Sequence, residues 1–185
     1  MLIGIVGKKG SGKDTSADHL INKYNFIKKS FADPLKKACK ELFLLSDEQL
    51  YGTEKEMPDN RWYNCSPRTM LQYVGTDLLR NQLNVIMPGL DNNIFINHFK
   101  LWYDKEKNSK TYIVIPDVRF LNEVNIIKEL NGIIIKIERN NNNDDMHISE
   151  KEMEQITSFD FIINNNGTKN DLYKKIDLLI MELKI

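Results

Sequence analysis

Cysteine is nearly missing from this 185-residue chain: Cys39 and Cys65 are the only two, with no CxxC spacing and no cluster of histidines nearby. A disulfide framework and a thiolate metal site both fall away, and the two thiols read as buried or incidental groups in a reducing compartment. No apolar run approaches the roughly 20 residues that cross a bilayer. Neither charge is in surplus, because 26 Lys+Arg balance 26 Asp+Glu. A chain without net charge has no overall pull on nucleic acid or an anionic membrane, so any basic site must be local. An aromatic–basic stripe for single strands is also missing. The opening MLIGIVG carries no basic leader and no cleavage site, which gives the cytoplasm as the expected location. Internal repeats, a domain-splitting linker and a long coiled coil are absent, so a single domain over 1–185 is expected.

What the sequence does have is alternation. LIGIVG is short, β-branched and closed by glycine, the pattern of a buried strand. KDTSADHLINKY follows with helical spacing, then a short strand candidate, FIKKSF. A helix is expected from Asp33, read as its cap, with Pro34 at the first helical position. From Ser46 to Asn64 the chain turns polar and irregular and is read as a mobile segment. Ser66 and Pro67 then open the helix SPRTMLQYVGTDLLRNQL. TYIVIPD, GIIIKIER and FDFIINN are further strands, with a helix ended by Gly132 after the first and the amphipathic TKNDLYKKIDLLIMELKI after the last. The Asn-rich loop after Arg139 is expected to be exposed, and Ser149 with Glu152 forms a capping box. Strands apolar on both faces, alternating with helices, imply a three-layer α/β/α domain around a parallel sheet of about five strands.

The stretch GIVGKKGSGKDTSADHL carries the chemistry. Gly7, Gly12 and Lys13 fit the G-x-x-x-x-G-K core of a P-loop, set between a strand and a helix as that motif requires. Its glycines let successive N–H groups point at phosphate oxygens, and the helix adds its positive end. Ser or Thr usually follows the lysine and binds Mg²⁺, whereas here Asp14 intervenes and Thr15 supplies the hydroxyl one step later. Asp14 either serves the site or is simply an acid in the first helical turn.

A P-loop alone does not separate a kinase from a switch GTPase or a motor. The N-K-x-D base-reading element of a switch GTPase is lacking. A kinase with an anionic acceptor needs additional cations, and Lys9, Lys36, Arg61, Arg68, Arg80, Arg119 and Arg139 are the candidates. Asp117 and Arg119 end an apolar strand, at the edge where open α/β sheets bind ligands. There an acid can orient Mg²⁺ or its waters and an arginine can offset phosphoryl charge; the alternative is a helix cap beside a surface arginine. Arg68 and Gln72, four apart, share a helix face, which suits either a phosphate clamp beside a base-reading amide or a solvated surface.

Taken together, GKKGSGKDTSADHL, FADPLKKA, SPRTMLQYVGTDLLRN, YIVIPDVRFLNE, MHISE and DFIINNNGTKNDLYKKI resemble, in the same order, the deoxynucleoside monophosphate kinases of phages and large DNA viruses. The resemblance covers nearly the whole chain. It implies a P-loop kinase fold, ATP as donor, Mg²⁺, deoxynucleoside monophosphates as acceptors and a homodimer. Carried over, Gly10, Ser11, Gly12, Lys13, Asp14 and Thr15 form the ATP loop, with Arg139 near the donor nucleotide. Lys9 leans toward both phosphates. Leu35, Lys36, Arg68, Gln72, Gly75 and Thr76 bind the acceptor, and Asp117 and Arg119 serve the reacting centre, Thr15 and Asp117 toward the metal. Ser149 is read as a structural cap and His147 as a loop contact. Two departures stand out: Gly10 replaces a basic residue of the phage pattern, and the stretch between Leu44 and Arg61 is much shorter than in the phage enzymes.

The expected reaction is in-line transfer without a phosphoenzyme, driven by positioning and charge stabilisation. One rival is another small-molecule P-loop kinase, such as the animal-type phosphomevalonate kinases, which share an SGKD loop and a later D-x-R. A nucleotide-binding regulatory ATPase is the rival from another class.

Overall fold

The computed structural model describes residues 1–106, 111–140 and 155–184. The chain divides into two compact units, one of residues Met1–Phe31 with Glu106–Ile185 and one of residues Ala32–Lys105.

The first unit is built on a five-stranded sheet of β1 (Leu2–Val6), β2 (Ile27–Lys28), β3 (Ile113–Ile115), β4 (Ile133–Glu138) and β5 (Phe161–Asn164), in the order β2-β3-β1-β4-β5. Every pairing is parallel, with Gly4 opposite both Ile115 and Ile134. The central strand β1 is buried along its length, as its apolar sequence demands. Parallel neighbours need crossovers, and α1 (Lys13–Tyr24), α6 (Leu121–Glu129) and α7 (Lys169–Glu182) occupy the connections of this unit and its C-terminal end. Ile3, Ile5, Val114, Ile135 and Ile137 from the sheet pack with Ala17 and Leu20 of α1 and Leu172, Ile176 and Ile180 of α7. Truncating a fully buried isoleucine such as Ile137 to alanine in such a core costs about 2–5 kcal/mol.

The expected parallel α/β architecture is present, with local differences. Gly132 does not supply the left-handed turn after α6; Asn131 does, at φ 56°. Glycine is needed at 132 because a Cβ there would lie 2.9 Å from the Leu2 carbonyl oxygen. His147, Ser149, Glu152 and the Asn-rich loop beyond Asn140 lie outside the described residues.

The second unit is helical: α2 (Asp33–Phe43), α3 (Asp47–Tyr51), α4 (Pro67–Gln72) and α5 (Ile94–Glu106), with short 3₁₀ turns between them. The cap of α2 is Ala32, so Asp33 is a first-turn acid instead of the cap. Ser66 does cap α4, accepting from the Thr69 N–H at 3.2 Å, with Pro67 in the first turn. The segment that reads as irregular contains α3, opened by a Ser46–Gln49 capping box, and turns at Thr53–Glu56 and Asn60–Trp62. The helix after Ser66 becomes a π-helix from Tyr73 to Arg80. So wide a helix is rare and gathers at functional sites; hydrophobic spacing at 3.6 residues gives no signal for it.

Candidate active site

The segment from Gly7 to Lys13 leaves β1 and feeds α1, and its chain reversal depends on two left-handed glycines, Gly10 at φ 78° and Gly12 at φ 108°. Its carbonyls are turned to internal donors. The Lys13 ammonium donates to Gly7 O at 2.5 Å and Lys8 O at 2.8 Å. Ser16 N and Oγ bind Gly12 O at 2.9 and 2.8 Å, and the Asn165 side-chain amide binds Ser11 O at 2.8 Å. With these carbonyls engaged, the loop's negative dipole ends are satisfied at the head of a 12-residue helix whose N–H groups favour an anion.

Beside the loop lies a cavity of about 450 Å³ lined by Gly10, Gly12, Lys13, Asp14, Thr15 and Arg139, together with Asn165, Gly167, Thr168, Lys169 and Leu172. The structure thus gathers six of the seven expected ATP-side residues around one cavity. The seventh, Ser11, is 1% exposed, and its buried hydroxyl has no hydrogen-bond partner among the described residues. Asp14 is exposed, with Lys28 Nζ at 3.4 Å, consistent with either of its two readings.

Asp117 and Arg119 follow β3, and Val118 N donates to Ile5 O at 3.3 Å, so this segment lies against the end of β1 just before the phosphate loop. The Asp117 carboxylate accepts a short hydrogen bond from the Ser30 hydroxyl. The backbone N–H of Arg119 is held at 2.8 Å by Glu123 Oε2, a carboxylate 2% exposed that also takes the Phe120 N–H.

The residues expected on the acceptor side, apart from Lys9 on the exposed phosphate loop, belong to the second unit. Arg68 Nη1 lies 3.1 Å from Glu56 Oε1, and Gln72 closes α4 one turn on. Gly75 and Thr76 sit in the π-helix, where a Cβ on Gly75 would fall 2.6 Å from Leu35 Cδ2. Lys36 Nζ lies 4.6 Å from the centre of the Tyr51 ring. Two of the candidate cations hold the fold. Arg61 pairs with the buried Asp59 at 2.6 Å, and the hydrogen bonds from Arg61 keep that carboxyl well below the usual carboxylate range. Arg80 is buried with its guanidinium 4.9 Å from the Phe95 ring centre.

Sequence reasoning assigned no role to Ser30, Glu123, Asn165, Gly167, Thr168 or Lys169. The loop after β5 belongs to the segment DFIINNNGTKNDLYKKI that carries the family resemblance, and its place at the carboxyl edge of the sheet is the signal that points to it.

A parallel sheet with a glycine loop and lysine at the head of α1 is the fold of a P-loop NTPase. Two solved structures share the fold. They are TT1252 from Thermus thermophilus (TM-score 0.52, 17% identity, 99% of this chain and 97% of that one) and dephospho-CoA kinase from Campylobacter jejuni (TM-score 0.53, 17% identity, 98% and 96%). The family follows from sequence comparison: a family model described as deoxynucleotide monophosphate kinase matches residues 1–59 and 48–176. A protein of Acanthamoeba polyphaga mimivirus described as "Putative deoxynucleotide monophosphate kinase" is 59% identical over 181 residues, covering 95% of this chain and 94% of that one. The deoxynucleotide monophosphate kinase of Enterobacteria phage T4 is 23% identical, over 95% and 96% of the two chains. The chain belongs to the deoxynucleotide monophosphate kinase family and is a phosphotransferase. That membership decides against the phosphomevalonate and regulatory ATPase alternatives. The two family segments overlap at residues 48–59, within the stretch that sequence analysis singled out as shortened.

Proposed function

We propose that this protein transfers the γ-phosphoryl group of ATP to deoxynucleoside 5′-monophosphates. The observation that carries the reading is the cavity lined by Lys13, Thr15 and Arg139 beside a loop whose carbonyls at 7, 8, 11 and 12 are engaged, in a chain of this family. ATP phosphates lie on the loop from Gly10 to Thr15, with Arg139 near the donor nucleotide. Lys9, Leu35, Lys36, Arg68, Gln72, Gly75 and Thr76 bind the acceptor, and Lys9 reaches toward both phosphates. The Lys13 ammonium leaves the Gly7 and Lys8 carbonyls for the phosphates and follows the transferred group. Arg119 offsets charge on that group, and Asp117, oriented by Ser30, stands at the reacting centre. Catalysis of this kind is positioning and charge stabilisation, with little covalent work for the protein.

The residues present fit Mg²⁺. Among the described residues no three or more His, Cys, Asp or Glu cluster to cage a metal. Mg²⁺ does not require such a cage, since it takes one or two protein oxygens and fills its shell from phosphate and water. Thr15 and Asp117 would hold it, directly or through water, and when bound it neutralises charge on the donor phosphates.

Closure of the segment around residues 46–64 would exclude water and suppress ATP hydrolysis. The family resemblance further supports a homodimer acting in the cytoplasm, a host's if the source is viral. Size-exclusion chromatography with light scattering tests the dimer.

The deciding experiment offers purified protein ATP, Mg²⁺ and each deoxynucleoside monophosphate in turn, with phosphomevalonate as control. Diphosphate formation from at least one deoxynucleotide and none from phosphomevalonate is expected. Failure to convert any deoxynucleotide would overturn the reading.

A further inference from the structure

Asn165 lies just past the end of β5, 154 residues away in sequence from the loop it touches. It is 5% exposed, and its backbone N–H donates to Glu138 O at 2.6 Å, which ties it to the end of β4. Its side-chain amide donates to Ser11 O at 2.8 Å. The same nitrogen sits flush against Gly12, where a Cβ would approach it to 2.5 Å. The amide therefore touches the Ser11–Gly12 peptide from both of its residues.

That peptide sits where the loop turns into α1. A trans peptide points its C=O and its N–H in opposite directions, so whatever holds the Ser11 oxygen also sets the direction of the Gly12 N–H. The left-handed glycine at 12 leaves the backbone free to rotate, and nothing in its own sequence decides which way the peptide faces. Turned over, it would set a carbonyl dipole against the phosphates in place of an N–H. Lys13 and Ser16 hold the carbonyls at 7, 8 and 12, all from within the loop and its helix. Ser11 O is held from the far end of the sheet.

We propose that Asn165 is a positioning residue for the phosphoryl donor: its amide holds the Ser11 carbonyl so that the Gly12 N–H is presented to the ATP phosphates. This rests on the reading of the loop as the donor site. It makes β5 and the turn after it part of the donor machinery, acting through the loop without requiring contact with the reacting atoms.

The test compares Asn165→Ala and Asn165→Asp with the wild-type chain by calorimetric titration of ATP and by steady-state kinetics, from pH 8 to pH 5.5. At pH 8 both variants should raise the KM and Kd for ATP at least tenfold and leave the KM for the deoxynucleotide within twofold. The aspartate variant carries the decisive readout. Ionised, it has no proton to give Ser11 O; protonated, its O–H restores the donor. Burial raises a carboxyl pKa, so its ATP affinity relative to wild type should recover as the pH falls, while the alanine variant shows no such recovery. A purely structural role would make the stability of the aspartate variant depend on pH and leave the Kd for ATP of the folded protein unmoved. ATP binding within twofold of wild type in both variants, an aspartate defect independent of pH, or equal losses for ATP and the deoxynucleotide would each overturn the proposal. If neither variant folds, Asn165→Ser, with a hydroxyl too short to span to Ser11 O, is read in the same way as alanine. Lys13→Met, run alongside, separates two failures. If it keeps its turnover, the loop is not the donor site and both readings fall; if it loses turnover while the Asn165 variants do not, the role of Asn165 alone falls.

Discussion

His19 Nε2 and Asp177 Oδ1 lie 2.7 Å apart, joining the helix that follows the phosphate loop to the C-terminal helix. The same carboxylate accepts from Tyr24 Oη at 2.7 Å and from Lys23 Nζ at 2.8 Å, and His19 stacks on Tyr173 at 4.0 Å between ring centres. Burial opposes ionisation of Asp177, but hydrogen bonds from Lys23, His19 and Tyr24 outweigh it and lower its pKa to about 2. Removing the acceptor strands partly buried donors, at a cost of about 1–3 kcal/mol. Asp177→Ala should therefore unfold at lower urea than wild type at pH 7. The folded pKa lies below the ordinary 3.8, so the contribution is present above 3.8 and lost as the pH falls through about 2. The gap between the two proteins should hold from pH 7 to about 4 and close below it. A gap that instead widens on acidification would mean the carboxylate is not the stabilising form.

Lys13 holds the Gly7 and Lys8 carbonyls with its ammonium, a post it must leave to reach a phosphate. Lys13→Met should lower turnover about 100- to 1000-fold, the scale of losing one charged stabiliser of a transition state. The helix and sheet should survive by circular dichroism, because the lysine is only half-buried and its bonds to Gly7 O and Lys8 O lie within the loop. Turnover near wild type in a well-folded variant would remove the loop from the mechanism.

These two cases show what can be read before folding. Lys13 is legible because glycine spacing, a preceding apolar strand and a following helix all lie between Leu2 and Tyr24. Strands β1, β3 and β4 were legible for the same reason: Ile3, Val114 and Ile135 belong to short apolar runs that need no partner to be recognised, whereas β2, exposed and two residues long, carried only a weak signal. Asp177, Ser30 and Asn165 were not. Each acts on a residue more than 80 positions away, His19, Asp117 or Ser11, and only the parallel crossovers bring those pairs together. The π-helix at Tyr73–Arg80 escaped for another reason, since its widened turn leaves the 3.6-residue pattern of the sequence nearly intact.

Asp59 organises the segment proposed to close over the acceptor. Its carboxylate takes Arg61 N and Nε at 3.0 Å, Arg61 Nη2 at 2.6 Å and Gln49 Nε2 at 2.8 Å. Asp59→Ala should speed amide hydrogen exchange across residues 46–64 and raise the KM for the deoxynucleotide severalfold, with the KM for ATP unchanged. The bonds from Arg61 hold the pKa below the ordinary carboxylate value, so the wild-type segment keeps its protection as the pH falls from 8 to 5 and loses it only in strong acid. Exchange rates equal in the two proteins would show that the segment is ordered by other contacts.

Arg119 offers the sharpest separation of chemistry from stability. Its backbone is fixed by Glu123 at the start of α6, while its half-buried side chain follows the strand that carries Asp117 to the sheet edge. Substitution of the side chain leaves the Glu123 cap in place, since that bond is made by the main chain. Arg119→Ala should therefore unfold within about 1 kcal/mol of wild type, the range of a partly exposed position, yet lose at least tenfold in kcat. Arg119→Lys should recover only part of the loss, because an ammonium cannot reproduce the planar fork that a guanidinium offers a phosphoryl group. The split between kcat and KM then assigns the residue. A fall in kcat at constant KM for ATP means the guanidinium acts on charge that develops in transfer. A rise confined to the KM for the deoxynucleotide would instead make it part of the acceptor's phosphate clamp, and unchanged kinetics would return it to the surface.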